Sequence, residues 1–561
     1  MFIFNINTRK IAKTFMLVLC LAITTPTHAD HNNLKIGMSQ YPSTLHPMFD
    51  SMVAKSYVLG ATLRPLAAYA ADWKPMCLLC TVLPSFENGR AIKTADGKIE
   101  ATYHLKDGLA WADGTPLTAK DFVFAWEVGK HPKSGASNAD LYTRDIADIR
   151  IEDDKTFTVV FAKQQCEFAA LADFYPLPEH LERAVFEKDP ATYINRTLYN
   201  TKPATPGLHM GPYKIADVKT GSAIKIDKNA HWAGKAPAFE TVTFRTIENS
   251  SSLSANLLSG DIDYIAGELG LLLDEALDFE KRLNKTKPGQ YTVTYKPGLT
   301  YEHIDLPLDR PPFNNHKLRQ ALIHAIDREG LNTALFDGQQ KIAHSNINPL
   351  DTVYDPNVTL YPYDPAKAEA LLDEAGWKRG ADGLRAEGNG RRLSITLYST
   401  AGNKTRATVA QAIQSYWQKI GIDAHIQMLP ARVLFGEIMR KRMFDGGVMY
   451  AWMSSPRNIP RSTLHGTMVP SEKNNYAGQN YPGYKNPAMD YSLNELEVVC
   501  EKNANQKLWS DIQSIYASDL PALPLYFRAN AFIVPTWLKG ITPTGHMHPT
   551  TFWIEDWNAA P

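Results

Sequence analysis

Hydrophobic and polar residues follow two different periods between residues 391 and 428. Apolar residues first alternate with polar ones, then recur at helical spacing, and then alternate again. These positions are Leu393, Ile395 and Leu397, then Val409, Ile413, Trp417 and Ile420, then Ile422, Ala424 and Ile426. With Gly421 at the expected end of the helix, the pattern predicts a strand, a helix and a second strand, a unit that favours a parallel sheet.

A second unit of the same kind is predicted between residues 242 and 265, where Gly260 separates a helix from the following strand. Apolar stripes indicate two further helices, one over residues 318–326 and one over residues 364–376. Because the two strand-helix-strand units lie far apart in the chain, we expect two separate α/β cores.

The chain is too long for one hydrophobic core. It has 561 residues, whereas single cores stop growing at about 250–300 residues, so two or three domains are expected. Candidate crossings between domains lie at residues 194–213, which are rich in proline and glycine, and at residues 295–298 and 522–528.

Residues 1–29 have the pattern of a cleaved secretory signal. Basic residues precede an apolar run, and small residues stand at the expected cleavage site after Ala29. Cys20 raises the alternative of a lipoprotein, but Leu19 stands before it, where lipidation calls for a small residue. We therefore expect an exported protein that is soluble in the periplasm of a Gram-negative cell.

Charge and motifs argue against several functions. Lysine and arginine together equal aspartate and glutamate, at 59 each, so no basic surplus indicates nucleic acid or an anionic membrane as a partner. The sequence has no nucleophile elbow, no phosphate-binding glycine loop and no paired metal-ligand spacing. We therefore predict that the protein is not an enzyme, with no catalytic residue, no cofactor and no bound metal.

Four cysteines follow the predicted cleavage site: Cys77, Cys80, Cys166 and Cys500. In an oxidising compartment we expect them to form disulfides. Cys77 and Cys80 have the spacing of a redox pair, but no thioredoxin-like strand and helix surround them, which favours a structural role. Four cysteines allow three pairings, and the spacing does not choose between them.

Residues 111–123, Trp-Ala-Asp-Gly-Thr-Pro-Leu-Thr-Ala-Lys-Asp-Phe-Val, predict a turn followed by a helix that Thr118 and Asp121 cap. The same segment resembles one typical of the family 5 bacterial extracellular solute-binding proteins, the periplasmic dipeptide- and oligopeptide-binding proteins of ABC transporters. Further similar segments occur in the family's order. They are Gly211–Tyr213, Ser259–Asp263, Leu318–Arg328, Asp364–Ala368 and Leu520–Leu525.

The resemblance implies an α/β, two-lobed periplasmic binding protein fold of the class II-like type, with an extra inserted domain and two hinge strands. It places lobe one at residues 30–64, 210–298 and 529–561, the inserted domain at 65–209 and lobe two at 299–528. The lobes of such a protein close on a ligand by hinge bending. The implied function is capture of a dipeptide or oligopeptide in the interlobe cleft by a monomer, and delivery to an inner-membrane ABC permease with its cytoplasmic ATPase.

Nine residues are implied as ligand contacts by their positions in the family's pattern. They are Ser51, Val53, Gly267, Glu268, Tyr301, His303, Tyr450, Trp452 and Ser454. Structural roles stand beside the binding roles, because tryptophan commonly serves packing alone and a histidine on a strand is commonly structural.

The segment after Trp452 departs from the family's pattern. Typical peptide binders carry an aspartate there that pairs with the α-ammonium of the ligand, whereas this chain has Met-Ser-Ser at residues 453–455. Either another acid, Glu268 or Glu302, takes that role, or the ligand lacks a free amino terminus.

Two other observations leave alternatives open. Arg457 and Arg461 could hold a ligand carboxylate or could lie on a solvated surface.

The alternative cargo is a non-peptide solute or a nickel or other metal chelate, because the same fold class carries nickel complexes. His546 and His548 could bind a metal, although alternating histidines near a terminus are more commonly incidental.

Overall fold

The computed structural model describes residues 32–49, 52–136, 141–430, 433–472 and 478–560. The predicted signal, residues 1–29, and the predicted contact Ser51 lie outside these ranges. Within them, no helix combines the length and the apolar character that crossing a membrane requires.

The secondary structure alternates between strands and helices along most of the chain. The strands are β1 (Asn33–Met38), β2 (Ala67–Tyr69), β3 (Pro75–Cys77), β4 (Ala91–Lys93), β5 (Ile99–His104), β6 (Ile146–Ile151), β7 (Thr156–Phe161), β8 (Tyr213–Lys219), β9 (Ala223–Lys228), β10 (Thr241–Thr246), β11 (Tyr264–Ile265), β12 (Tyr291–Asp305), β13 (Lys341–Ile342), β14 (Lys378–Arg379), β15 (Arg385–Ala386), β16 (Ser394–Thr400), β17 (Asp423–Leu429), β18 (Gly447–Met453), β19 (Ala522–Pro535), β20 (Leu538–Lys539) and β21 (Asn558–Ala559). The helices are α1 (Val53–Thr62), α2 (Ala119–Lys130), α3 (Glu179–Lys188), α4 (Tyr193–Arg196), α5 (Leu198–Thr201), α6 (Ser250–Ser259), α7 (Leu273–Thr286), α8 (His316–His324), α9 (Arg328–Phe336), α10 (Pro365–Glu374), α11 (Lys404–Lys419), α12 (Arg461–Leu464), α13 (Pro487–Val498) and α14 (Lys502–Asp519).

One large sheet runs through the molecule. It has 11 strands, and the order of its main path is β17-β16-β18-β12-β19-β11-β1-β10-β9-β8, with β13 beside β19. Near one end β16 pairs in parallel with β17 and β18, and towards the other end β1 pairs in parallel with β10 and β11. Each of these parallel regions packs against its own hydrophobic core.

The two predicted strand-helix-strand units are confirmed. Helix α11 connects the parallel strands β16 and β17, and Gly421 follows it with a φ of 87°, a left-handed conformation that glycine adopts readily. Helix α6 connects β10 and β11, which lie on either side of β1, and Gly260 ends this helix with a φ of 84°.

Two long antiparallel strands join the two parallel regions of the sheet. β12 and β19 pair from Tyr291 with Pro535 to Asp305 with Ala522, and their register shifts between Pro297 and Tyr301. The predicted crossings at residues 295–298 and 522–528 lie within these strands. A pair of strands shared by two cores can absorb a rotation of one core against the other, which is the geometry of a hinge.

Residues between 65 and 209 contain a second, four-stranded sheet with the order β4-β5-β7-β6 and a separate core that includes Trp111 and Phe122. The carboxylate of Asp121 accepts a hydrogen bond from the Thr118 amide at 2.8 Å, so the predicted cap at the start of α2 is present. Leu59 at the end of α1 joins this core, which packs the region onto lobe one. The lobe boundaries themselves stay predictions.

The four described cysteines form two disulfides. Cys77 pairs with Cys80, and Cys166 pairs with Cys500. The first bond is local to the end of β3. The second joins the segment after β7 to the turn between α13 and α14, so it links the predicted inserted domain to predicted lobe two.

Candidate ligand-binding cleft

Four of the predicted contacts meet where β12 pairs with β18. In this antiparallel pair Tyr301 lies opposite Trp452, and His303 lies opposite Tyr450. Because alternate residues of a strand face the same side of a sheet, the four side chains share one surface. The rings of Tyr301 and His303 stack at a centroid distance of 4.7 Å, and the ring of His303 lies 4.5 Å from that of Tyr450.

The same alternation brings Asp305 to this surface, a residue that the sequence analysis did not select. The Tyr450 hydroxyl donates a hydrogen bond to Oδ2 of Asp305 at 2.6 Å, and Nε2 of His303 lies 3.4 Å from Oδ1. Burial, together with this carboxylate, raises the pKa of Tyr450 well above its usual value, so the phenol stays protonated and donates. The period of two from Tyr301 through His303 is the signal that could have identified Asp305.

These residues line a cavity of about 130 Å³, which we call the aromatic cavity. Ser454, a further predicted contact, lies in its wall, as do Asn346 and Tyr516, which the sequence analysis also missed. The hydroxyls of Tyr301 and Tyr516 are hydrogen bonded at 2.8 Å, which fixes the two rings against each other. The residues that line the aromatic cavity lie between Tyr301 and Ala522, within the range predicted for lobe two.

Two larger cavities lie where distant parts of the chain face each other. The charged cavity, about 530 Å³, separates residues 69–167 from residues 455–509. The hinge cavity, about 220 Å³, lies between residues 267–273 and residues 526–530. Both therefore open between predicted lobe two and the rest of the protein.

The three cavities are adjacent and share residues in their walls. Asn458 and Ser462 line both the aromatic and the charged cavity, and Met453 lines both the aromatic and the hinge cavity. The result is an elongated cleft with compartments of different chemical character. Such a cleft suits an extended ligand that carries several side groups.

Gly267 and Glu268 lie in the wall of the hinge cavity. The ring of Phe532 packs so closely on Gly267 that a side chain there would overlap it. The Glu268 carboxylate accepts hydrogen bonds from the Thr550 amide at 2.7 Å and from the Thr550 hydroxyl at 3.3 Å. Burial raises the pKa of Glu268 to about 7.

The raised pKa of Glu268 predicts a dependence of stability on pH that Glu268→Gln should remove. Between the ordinary pKa of 4.5 and the folded pKa of about 7, the folded protein keeps a proton that the unfolded chain has lost, so stability falls as pH rises. We expect a loss of about 2 kcal/mol, less than the full shift implies because the side chain faces a cavity. Urea unfolding from pH 4.5 to 7.5 measures it.

The matched control is Glu329→Gln, which changes an exposed glutamate on α9. The free-energy difference between wild type and this control should not change with pH. If the difference between wild type and Glu268→Gln is equally independent of pH, Glu268 does not hold the proton.

Glu302 is fully buried between two arginines. Nε of Arg406 donates a hydrogen bond to its Oε1 at 2.8 Å, and Nη2 of Arg528 donates to its Oε2. Burial opposes ionisation of Glu302, but the two guanidinium groups outweigh burial and hold its pKa below the usual value. Both acids that the sequence analysis names for binding an ammonium, Glu268 and Glu302, are thus engaged with other protein groups.

Val53 occupies a different place from the other predicted contacts. It is the first residue of α1 and packs against the core of lobe one. The described residues that line the three adjacent cavities do not include Val53. Its contact with a ligand stays a prediction, as does that of Ser51.

Arg457 and Arg461 line the charged cavity, and both have protein partners. Nε of Arg457 donates to Oε1 of Glu167 at 2.7 Å, which bridges the cavity, and Nη1 of Arg461 donates to the side-chain oxygen of Asn494 at 2.5 Å. The contacts of Arg457 therefore indicate an ion pair between the predicted inserted domain and predicted lobe two.

The two histidines near the C-terminus contact backbone groups. Nε2 of His546 lies 3.0 Å from the carbonyl oxygen of Ala70, and Nδ1 of His548 accepts a hydrogen bond from the Tyr69 amide at 3.2 Å. Burial lowers the pKa of His546 to about 4 and that of His548 to about 3. In the described part of the chain, no three histidine, cysteine, aspartate or glutamate side chains form a group able to hold a metal ion.

A two-lobed α/β fold with two shared hinge strands and an elongated cleft defines a binding protein of the periplasmic type. The chain belongs to the bacterial extracellular solute-binding proteins, family 5, because the family model described as "family 5 Middle" matches residues 65–468. Proteins of this family are secreted and are components of transport systems rather than enzymes.

Relatives and solved structures agree with this assignment. Oligopeptide-binding protein AppA of Bacillus subtilis is 27% identical over 458 residues, covering 80% of this chain and 79% of AppA. The oligopeptide binding protein from Thermus thermophilus, solved with a pentapeptide, is 29% identical with a TM-score of 0.76, covering 94% of this chain and 96% of that one. NikZ from Campylobacter jejuni, solved with Ni(L-His), is 22% identical with a TM-score of 0.76, covering 94% and 99%, and supports the fold alone.

Proposed function

We propose that this protein captures short peptides in the cleft between its lobes and delivers them to an ABC permease in the inner membrane, which a cytoplasmic ATPase drives. The observation that carries the proposal is the series of three adjacent cavities with shared wall residues. A compact solute needs only one compartment, whereas a peptide presents a main chain and several side chains. The peptide ligands of the Bacillus and Thermus relatives support the same choice of cargo.

The hinge strands supply the conformational change that this function needs. Closure of the lobes about β12 and β19 would bury the ligand and give the loaded protein a shape that differs from the unloaded one. Ligand stabilises the closed form only by binding it more tightly than the open form, so contacts from both sides of the cleft matter. We propose that the carrier works as a monomer in the periplasm after cleavage of residues 1–29.

Native mass spectrometry of protein purified from the periplasm tests the cargo. We expect a ladder of short peptides released on denaturation, since main-chain recognition tolerates many sequences. The Trp452→Ala variant should retain little of this peptide, because Trp452 lines the aromatic cavity opposite Tyr301 of the hinge strand β12. Tyr491→Ala, which removes an aromatic ring that is 62% exposed on α13, is the matched control and should retain it.

A single non-peptide species, or one metal chelate, would contradict the peptide proposal and favour the alternative cargo. Retention of the full peptide ladder by Trp452→Ala would instead place the peptide outside the aromatic cavity.

A further inference from the structure

The aromatic cavity contains a buried carboxylate, Asp305, whose ion-pairing neighbour is a histidine and not a lysine or an arginine. Asp305 is about 3% exposed, and its hydrogen-bonding neighbours are the Tyr450 hydroxyl and the ring of His303. Within the described part of the chain, no lysine or arginine lies within ion-pairing distance of it. A buried carboxylate that no lysine or arginine contacts is costly to ionise, so a ligand that brings a positive charge into the cavity would be stabilised by it.

The other groups that line the aromatic cavity include acceptors and aromatic rings, which suit a cation. Asp305 is the only carboxylate among the described residues that line the cavity, and no lysine or arginine lines it. Oδ1 of Asn346, a second acceptor in the lining, is buried and has no hydrogen-bond partner among the described residues. Tyr301, Tyr450 and Trp452 line the same cavity, and aromatic rings attract cations.

The neighbouring acids do not compete for this role. Glu302 comes three residues earlier in β12 and is paired with Arg406 and Arg528, and Glu268 lies in the hinge cavity bound to Thr550. Asp145, Glu167 and Glu497 line the charged cavity and are paired with Arg144, Arg457 and Lys163. Among the described acids that line the three cavities, Asp305 is therefore the one whose carboxylate has an imidazole but no lysine or arginine beside it and can take up a ligand cation. Asp305 lies opposite Val448, in the last residue pair of β12 with β18, the strand that carries Trp452.

We propose that the aromatic cavity binds a primary ammonium group of the ligand, with the Asp305 carboxylate as its counter-ion and Oδ1 of Asn346 as a second acceptor. This inference rests on the proposed function, since it takes a peptide's amino terminus as the expected source of the ammonium. It assigns to Asp305 on β12 the role that related proteins give to an aspartate after the tryptophan of the pocket loop, where this chain has Met-Ser-Ser.

Three peptide libraries distinguish the sources of the ammonium. The first contains random tripeptides without lysine and with a free amino terminus, the second is the same library after N-acetylation, and the third is N-acetylated but contains lysine. Binding to ligand-free wild type is measured by native mass spectrometry and by isothermal titration of the best binders. We expect acetylation of the lysine-free peptides to weaken binding by about 30-fold or more.

Asp305→Asn keeps the shape of the side chain and removes its charge. It should weaken binding of the free-amine peptides by about 30-fold or more and should leave binding of the acetylated peptides nearly unchanged. Asp511→Asn, which changes a partly exposed aspartate on α14 that pairs with Lys507, is the matched control and should change neither. Circular dichroism checks that each variant is folded, and the libraries test the wild type whether or not Asp305→Asn folds.

Each outcome supports or contradicts the ammonium site. Equal binding of the free and acetylated libraries by wild type, or full binding of free-amine peptides by Asp305→Asn, overturns the ammonium site and leaves the peptide carrier standing. Tight binding of only the acetylated lysine library supports the site with a side-chain ammonium as its ligand. Failure of every library to bind wild type overturns the site and the proposed function together.

Discussion

Glu302→Gln should lower the free energy of unfolding by about 3–5 kcal/mol, and with it the melting temperature by roughly 5–10 °C. The side chain of Glu302 is fully buried and neutralises Arg406 and Arg528, which are 12% and 23% exposed. Glutamine keeps the shape but leaves two cations facing each other with only neutral acceptors between them. The triad links β12, β19 and α11, so its loss should loosen lobe two where it meets the hinge strands.

Thermal and urea unfolding measure the effect. Glu329→Gln, which removes an exposed glutamate from the same lobe, should change the stability by less than about 0.5 kcal/mol. Arg406→Met leaves one ion pair intact and should cost less than Glu302→Gln. If the Glu302→Gln and Glu329→Gln variants have the same melting temperature, the triad does not hold the hinge strands in place.

Replacing Cys166 and Cys500 together with serine should destabilise the protein and free the cleft to open. The bond spans a sequence separation of 334 residues, for which the chain-entropy contribution is about 4–6 kcal/mol. It also lies beside two other contacts across the charged cavity, from Lys163 to Glu497 at 2.5 Å and from Arg457 to Glu167 at 2.7 Å. Without the covalent bond, these partly exposed ion pairs are too weak to keep the two sides together.

Small-angle scattering of ligand-free protein should show a larger radius of gyration for the Cys166→Ser, Cys500→Ser variant than for wild type. The matched control replaces Cys77 and Cys80, whose bond spans three residues and contributes only about 2 kcal/mol. The control variant should have a melting temperature closer to that of wild type and the same radius of gyration as wild type. Equal radii for all three proteins would mean that the long-range bond does not restrain the cleft.

Local sequence signals predicted the elements of this fold well. The change of period between residues 391 and 428 identified β16, α11 and β17, and Gly421 and Gly260 marked the ends of two helices. Capping residues and hydrophobic periods act over a few positions along the chain, so they can be identified without knowing what lies nearby in space. The ordered family segments added the two-lobed arrangement, which local signals do not contain.

The candidate site was predicted in part. Tyr301, His303, Tyr450 and Trp452 were selected by position in the family's pattern, and the register of β12 against β18 brings them together. Asp305 was missed although it continues the same alternation, because its partner Tyr450 lies 145 residues away.

The sequence by itself determined the class of the protein and several of its strands and helices, among them β16, α11 and β17. Only the tertiary structure decided which charges remain for a ligand and which cysteines are joined. Glu302 meets its arginines across separations of 104 and 226 residues, and Cys166 meets Cys500 across 334. A buried charge is stabilised by its neighbours in space, and neighbours at such distances along the chain leave no pattern in the spacing of residues.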